Sequence, residues 1–207
     1  MAIIHQATLQ PTKLALLGDW LPQQPWCRGS RARKLGSYRF DDPAGEVGLE
    51  AFLLDTGAET VQVPLSYRAS RLDGAEEQLI GTIEHSVLGT RYVYDAIGDP
   101  VWRTALATAI LAGGTEASED VTDSSGAVIT VRESTAHVRG SGDGSIASAD
   151  WTASHPHAAD GLVSFEADGQ QLIMVRTVGV AIDVDATLTG RWESTEDAVL
   201  GGVRLGH

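Results

Sequence analysis

Residues 60–68 alternate between apolar and polar positions. Val61, Val63, Leu65 and Tyr67 fall on one side, and Gln62, Ser66 and Arg68 on the other. That is the period of a strand with one buried face. Pro64 has no amide to donate, which predicts an edge position or a bulge. Upstream, residues 2–9 open on an apolar run and predict a short strand, and 46–55 predict another. Between them, Pro11 and Thr12 open a short helix. Its Leu14, Leu17 and Leu21 recur at helical spacing with Trp20 beside them, and Pro22 and Pro25 end it. The segment 34–41 runs into a turn at Asp41-Asp42-Pro43-Ala44-Gly45. Runs at 78–87 and 90–96, joined around Leu88-Gly89, predict a hairpin. Asp99 as cap, Pro100 in the first turn and Gly113-Gly114 as stop predict a helix over about 100–112. Trp102, Leu106, Ala109 and Ile110 form its apolar face. A helix laid on an antiparallel sheet buries both apolar faces, so the fold class is α+β.

The pattern changes after residue 114. Residues 115–126 are polar, acidic and small, and five strands are predicted at 127–138, 161–167, 170–178, 185–193 and 198–205. Asp168-Gly169 between two alternating runs signals a two-residue hairpin. Residues 140–160, rich in Gly, Ser, Ala and Asp, are expected to form a mobile loop. The chain therefore divides into a sheet-and-helix region, 1–114, and a β-rich region, 115–207. The second is either a separate domain or an extension of the same sheet.

Charge and composition narrow the function classes. With 28 acidic and 15 basic residues the net charge is −13, a field that repels phosphate backbones and anionic lipid. Nucleic-acid and membrane partners are not expected. Arg28, Arg31, Arg33 and Lys34 form a short basic cluster that reads as a solvated loop. There is no apolar run long enough to span a bilayer and no secretory leader pattern at Met1–His5. Cys27 is the single cysteine, so no intrachain disulfide forms, which fits a reducing cytoplasm.

Three stretches resemble a known family. They are Ala2 to Trp26; Tyr38-Arg39-Phe40-Asp41-Asp42-Pro43-Ala44-Gly45-Glu46-Val47-Gly48; and Leu79-Ile80-Gly81-Thr82 through Glu84-His85-Ser86-Val87-Leu88-Gly89 to Tyr94-Asp95-Ala96 and Asp99-Pro100-Val101. Together they resemble the N-terminal cap domain of maltokinases and the stand-alone actinobacterial proteins similar to it. The resemblance implies a cystatin-like curved antiparallel sheet with a helix against it over roughly the first 110 residues. In maltokinases a β-rich region follows, one strand of which carries a lysine for the ATP phosphates, and then a helical catalytic lobe. Here the corresponding strand reads Leu172-Ile173-Met174-Val175-Arg176, and the only lysines are Lys13 and Lys34. Phosphoryl transfer needs a phosphate cradle, metal-binding carboxylates and a base held together. Residues 1–207 are expected to lack them, and no cofactor is implied.

Candidate chemistry is sparse. Tyr92 and Tyr94 share one strand face and are the candidates for an exposed ligand or partner surface, with His85 nearby. The other reading of His85 is a hydrogen-bonded structural histidine. Trp20 and Trp102 read as core. His155 and His157, near Asp150 and Asp160, are the nearest approach to a metal set, but no metal site is expected in a loop without supporting partners. Gly140-Ser141-Gly142-Asp143-Gly144 superficially resembles a phosphate loop but has no following helix and no lysine, and reads as a connection. Three functions follow. The first is a non-catalytic interaction or regulatory module for a protein partner in α-glucan, maltose or trehalose metabolism. The second is a binder of a sugar or sugar phosphate. The third is an enzyme of unrecognised type.

Overall fold

The computed structural model describes residues 2–5, 8–122, 128–193 and 195–206. In chain order the elements are β1 Ala2–His5, β2 Leu9–Gln10, α1 Lys13–Trp20, β3 Gly29–Phe40, β4 Gly48–Gly57, β5 Thr60–Arg68, β6 Leu79–His85, β7 Gly89–Asp95, α2 Pro100–Leu111, β8 Glu119–Thr122, β9 Val128–Arg132, β10 Ala136–Gly140, β11 His157–Ala159, β12 Leu162–Ala167, β13 Gln170–Val175, β14 Ala186–Trp192 and β15 Thr195–Leu205. Six strands make a first antiparallel sheet in the order β2-β6-β7-β5-β4-β3. Six make a second, β10-β14-β15-β13-β12-β11. The third sheet is small, β1-β8-β9, and in it β1 runs parallel to β8. The α+β reading, a curved antiparallel sheet with a packed helix and a β-rich second half, holds.

The alternation that predicts β5 divides the core. Phe52, Leu54, Val61, Val63, Leu65, Ile83 and Val93 face α1 and bury its Leu17 and the Leu21 that follows it. Tyr38, Phe40, Leu49, Ala51 and Leu53 face the other way, onto Trp102, Leu106 and Ile110 of α2. The same apolar cluster continues through Val138, Trp151, Phe165, Leu172, Leu188 and Val203 of the second half. Thus α2 is wedged between the two large sheets, buried on most of its circumference. Thr12 caps α1 by accepting from the Ala15 amide, and Asp99 caps α2 by accepting from the Val101 amide.

Several expectations are corrected. Pro64 lies in a central strand, not at an edge or a bulge. It pairs with Ala51 of β4, and on its other side β7 begins only at Leu65. The Gln62 amide there donates to the Arg176 carbonyl, so Pro64 falls between two neighbouring strands where no donor is required. The polar stretch 115–126 contains β8, and 127–138 splits into β9 and β10. Residues 140–160 are tied down rather than loose. The amides of Gly142 and Gly144 donate to Ile110 and Leu111 carbonyls at the end of α2, satisfying acceptors a helix leaves open. A Cβ at Gly142 would meet the Leu111 carbonyl at 2.1 Å, so only glycine fits this approach. The phosphate-loop lookalike is therefore a cap for a helix C-terminus. Trp151, in the same stretch, is fully buried, with its indole N–H on Ser148 Oγ.

Candidate functional site

Two polar centres lie on the α1-facing side of the first sheet, and the strand register explains both. Glu50 pairs with Leu65, and Leu65 with Asp95. The two carboxylates thus occupy one row, two strand spacings or about 10 Å apart.

At the first centre, three donors converge on one oxygen. Lys13 Nζ, Arg39 Nη1 (3.2 Å) and the Tyr67 hydroxyl (3.1 Å) all donate to Glu50 Oε2. Lys13 comes from the first turn of α1 and also sits 4.9 Å from the Tyr67 ring centroid. Burial raises the Glu50 pKa, but the charges of Lys13 and Arg39 outweigh it and hold the group at about 2. Two cations therefore share one carboxylate.

At the second centre, the Arg176 guanidinium enters from the second half of the chain. Nη2 donates to Asp95 Oδ2 at 2.7 Å, and Nη1 to the Gln62 carbonyl at 3.2 Å. The Trp26 ring lies over it, 4.4 Å from the centroid. Among the described residues, Arg176 Nε and Asp95 Oδ1 have no close hydrogen-bond partner. Burial pushes the Asp95 carboxyl above its ordinary range, and Arg176, with the Ile97 amide, only partly offsets it. On the opposite face the Gln62 side chain closes the same seam. It donates to the Val175 and Leu200 carbonyls and accepts from the Tyr38 hydroxyl at 2.7 Å.

A third bonded set holds α2. Arg68 grips Asp99 through Nε and Nη2, both at 2.7 Å. Arg103, 3% exposed, donates to the carbonyls of Ile97, Trp151 and Thr152.

The residues singled out from sequence are placed as follows. Tyr94 is not on the surface. It is 1% exposed, and its hydroxyl accepts from the Leu72 amide, because the face it shares with Ser66 is covered. Tyr92 is half-buried with Arg71 over its ring. His85 ends β6, and its Nδ1 accepts from the amides of Val87 and Leu88, which holds the turn of the β6–β7 hairpin. Val87 and Leu88, at that tip, are exposed apolar side chains. His155 and His157 are both exposed, and no three His, Cys, Asp or Glu among the described residues gather as a metal set. Arg176, at the end of the strand compared with the kinase lysine strand, points into the seam.

These centres lie within, or close onto, one contiguous segment. Residues 20–99 match the maltokinase N-terminal cap domain. Trp26, Arg39, Glu50, Gln62, Asp95 and Asp99 belong to this cap segment; Lys13 and Arg176 reach it from outside. No curated protein matches the chain. Sequence reasoning passed over Glu50, Asp95 and Arg176. The available signal was a charge inside an apolar strand: Glu50 between Leu49 and Ala51, Asp95 between Tyr94 and Ala96, and Arg176 after Met174-Val175.

Proposed function

We propose that this chain is a non-catalytic cap-like interaction module that docks on a protein of α-glucan, maltose or trehalose metabolism in the cytoplasm. The match of residues 20–99 to the maltokinase cap carries the reading. The chemistry of the charged interior supports it. Glu50, Asp95, Asp99, Arg103 and Arg176 are each bonded to the fold itself, which makes them scaffold rather than reacting groups. The β6–β7 hairpin offers the docking element, because Val87 and Leu88 are exposed apolar side chains on a turn held rigid by His85. No helix among the described residues is long and apolar enough to cross a membrane.

We also propose that regions 1–114 and 115–207 fold as one unit, since one apolar cluster draws on both. A single unfolding transition by fluorescence and circular dichroism is the expected result; two separated transitions would contradict it.

The docking reading is tested by affinity capture from native lysate with the wild-type chain and with Val87→Asp/Leu88→Asp. Enrichment of a glucan- or trehalose-metabolising enzyme by the wild type, lost in the double variant, supports it. Equal recovery by both removes the hairpin, and no such enzyme above background removes the module itself.

A further inference from the structure

At one end of the first sheet, a groove of about 320 Å³ is lined by Glu46, Arg68, Ala69, Ser70 and Arg91. Its two guanidinium groups differ in status. Arg68 is fixed by its bidentate bond to Asp99, itself fully buried and capping α2. Arg91 is half-buried on β7, and its guanidinium makes no hydrogen bond or ion pair among the described residues. The chain carries 28 acidic residues against 15 basic ones, yet among the described residues no carboxylate pairs with this arginine.

Arg91 shares a strand face with Val93, whose cross-strand partner is Tyr67 of the Glu50 centre. There, Lys13 and Arg39 share a single carboxylate. That centre carries one positive charge beyond its carboxylate, on the same face of the sheet as Arg91. A planar guanidinium left free in a recess matches an oxyanion through two parallel N–H bonds. The Ser70 hydroxyl adds a neutral donor, and Glu46, which also lines the groove, disfavours extended polyanions.

We propose that this groove binds one small oxyanion, a phosphate or carboxylate group, with Arg91 as the principal donor, Ser70 beside it and the Asp99-paired Arg68 as a fixed wall. This is independent of the docking reading, because it concerns the isolated chain and a small ligand.

The test titrates the full chain with inorganic phosphate and, separately, with malonate at low ionic strength, following backbone amide shifts by NMR. Saturable shifts at Ser70 and Arg91 are expected with at least one anion. Response to phosphate alone assigns a phosphoryl ligand, and response to malonate alone a carboxylate. Arg91→Ala should weaken binding about tenfold or more, Arg91→Lys should fall between, and Arg139→Ala, an exposed arginine on β10, should match wild type. No saturation by either anion up to tens of millimolar, or unchanged affinity in Arg91→Ala, overturns the proposal. Phenylglyoxal labelling of the wild type gives a check independent of any variant. Slower modification of Arg91 in the presence of the binding anion supports the site, and an unchanged rate overturns it.

Discussion

Glu50 and Asp95 sit in the same row of the same sheet, 6% and 3% exposed, yet Glu50 is held down to about 2 while Asp95 is pushed up. Burial acts on both in the same direction. The difference lies in what each faces. Glu50 meets two cations and a phenol brought from α1, β3 and β5. Asp95 meets one guanidinium and the Ile97 amide, and among the described residues one of its oxygens has no close hydrogen-bond partner. Desolvation of a carboxylate is offset only where enough positive charge and hydrogen bonding are gathered around it. The first centre is built from α1 and the first sheet alone. The second joins that region to the rest of the chain.

The largest effect is expected at the seam. Arg176→Ala leaves Asp95 buried without its counter-charge and removes the contact with Trp26, at a cost of about 3–5 kcal/mol in urea unfolding. Replacing both partners, Arg176→Met with Asp95→Leu, should recover most of that loss, since apolar groups of similar volume carry no desolvation cost. A double variant as unstable as the single one would mean that the pair supplies more than charge balance.

Next comes Glu50→Gln, about 3 kcal/mol at neutral pH, from a carboxyl lowered to about 2 from 4.5. Because the folded-state pKa is depressed, this stability is complete above pH 4.5 and is lost as pH falls toward 2. Wild type and Glu50→Gln should therefore converge in acid. Asp95, raised in the folded state, has the opposite sign. Its contribution is present at low pH and declines as pH rises through its folded value, so Asp95→Asn should lose least where Glu50→Gln loses most. Parallel pH profiles for the two variants would refute the contrast.

The smallest effect is expected at Asp99→Ala, about 1–2 kcal/mol by thermal unfolding, from the lost α2 cap and the released Arg68. It should also loosen the wall of the oxyanion groove, whereas neither Glu50→Gln nor Arg176→Ala touches a groove-lining residue.

Much of the fold was legible because local rules sufficed. The alternation at 60–68 matches β5 residue for residue, and Asp99, Pro100 and Gly113 bracket α2. Asp168-Gly169 makes its hairpin with both residues at positive φ. Asp160-Gly161 makes another in the same way, but the Gly- and Ser-rich stretch before it concealed the partner strand β11. Composition also misled at Trp151 and at Gly142, where small residues serve close packing on a helix end rather than freedom of the chain. The sites were less legible. Tyr94 alternates like a surface residue and is buried, since alternation tells which residues share a face and not what covers that face.

Element type, order and most boundaries follow from periodicity, caps and turn residues, each an interaction within a few positions of the chain. The pairing of Arg176 with Asp95, the gathering of Lys13, Arg39 and Tyr67 on Glu50, and the placing of Arg91 beside Glu46, Arg68 and Ser70 involve residues distant in sequence. Only the packing of α1, the first sheet and the second half determines which charges meet and which are left open. Those encounters decide protonation, coupling of the two regions and the one groove proposed to take a ligand.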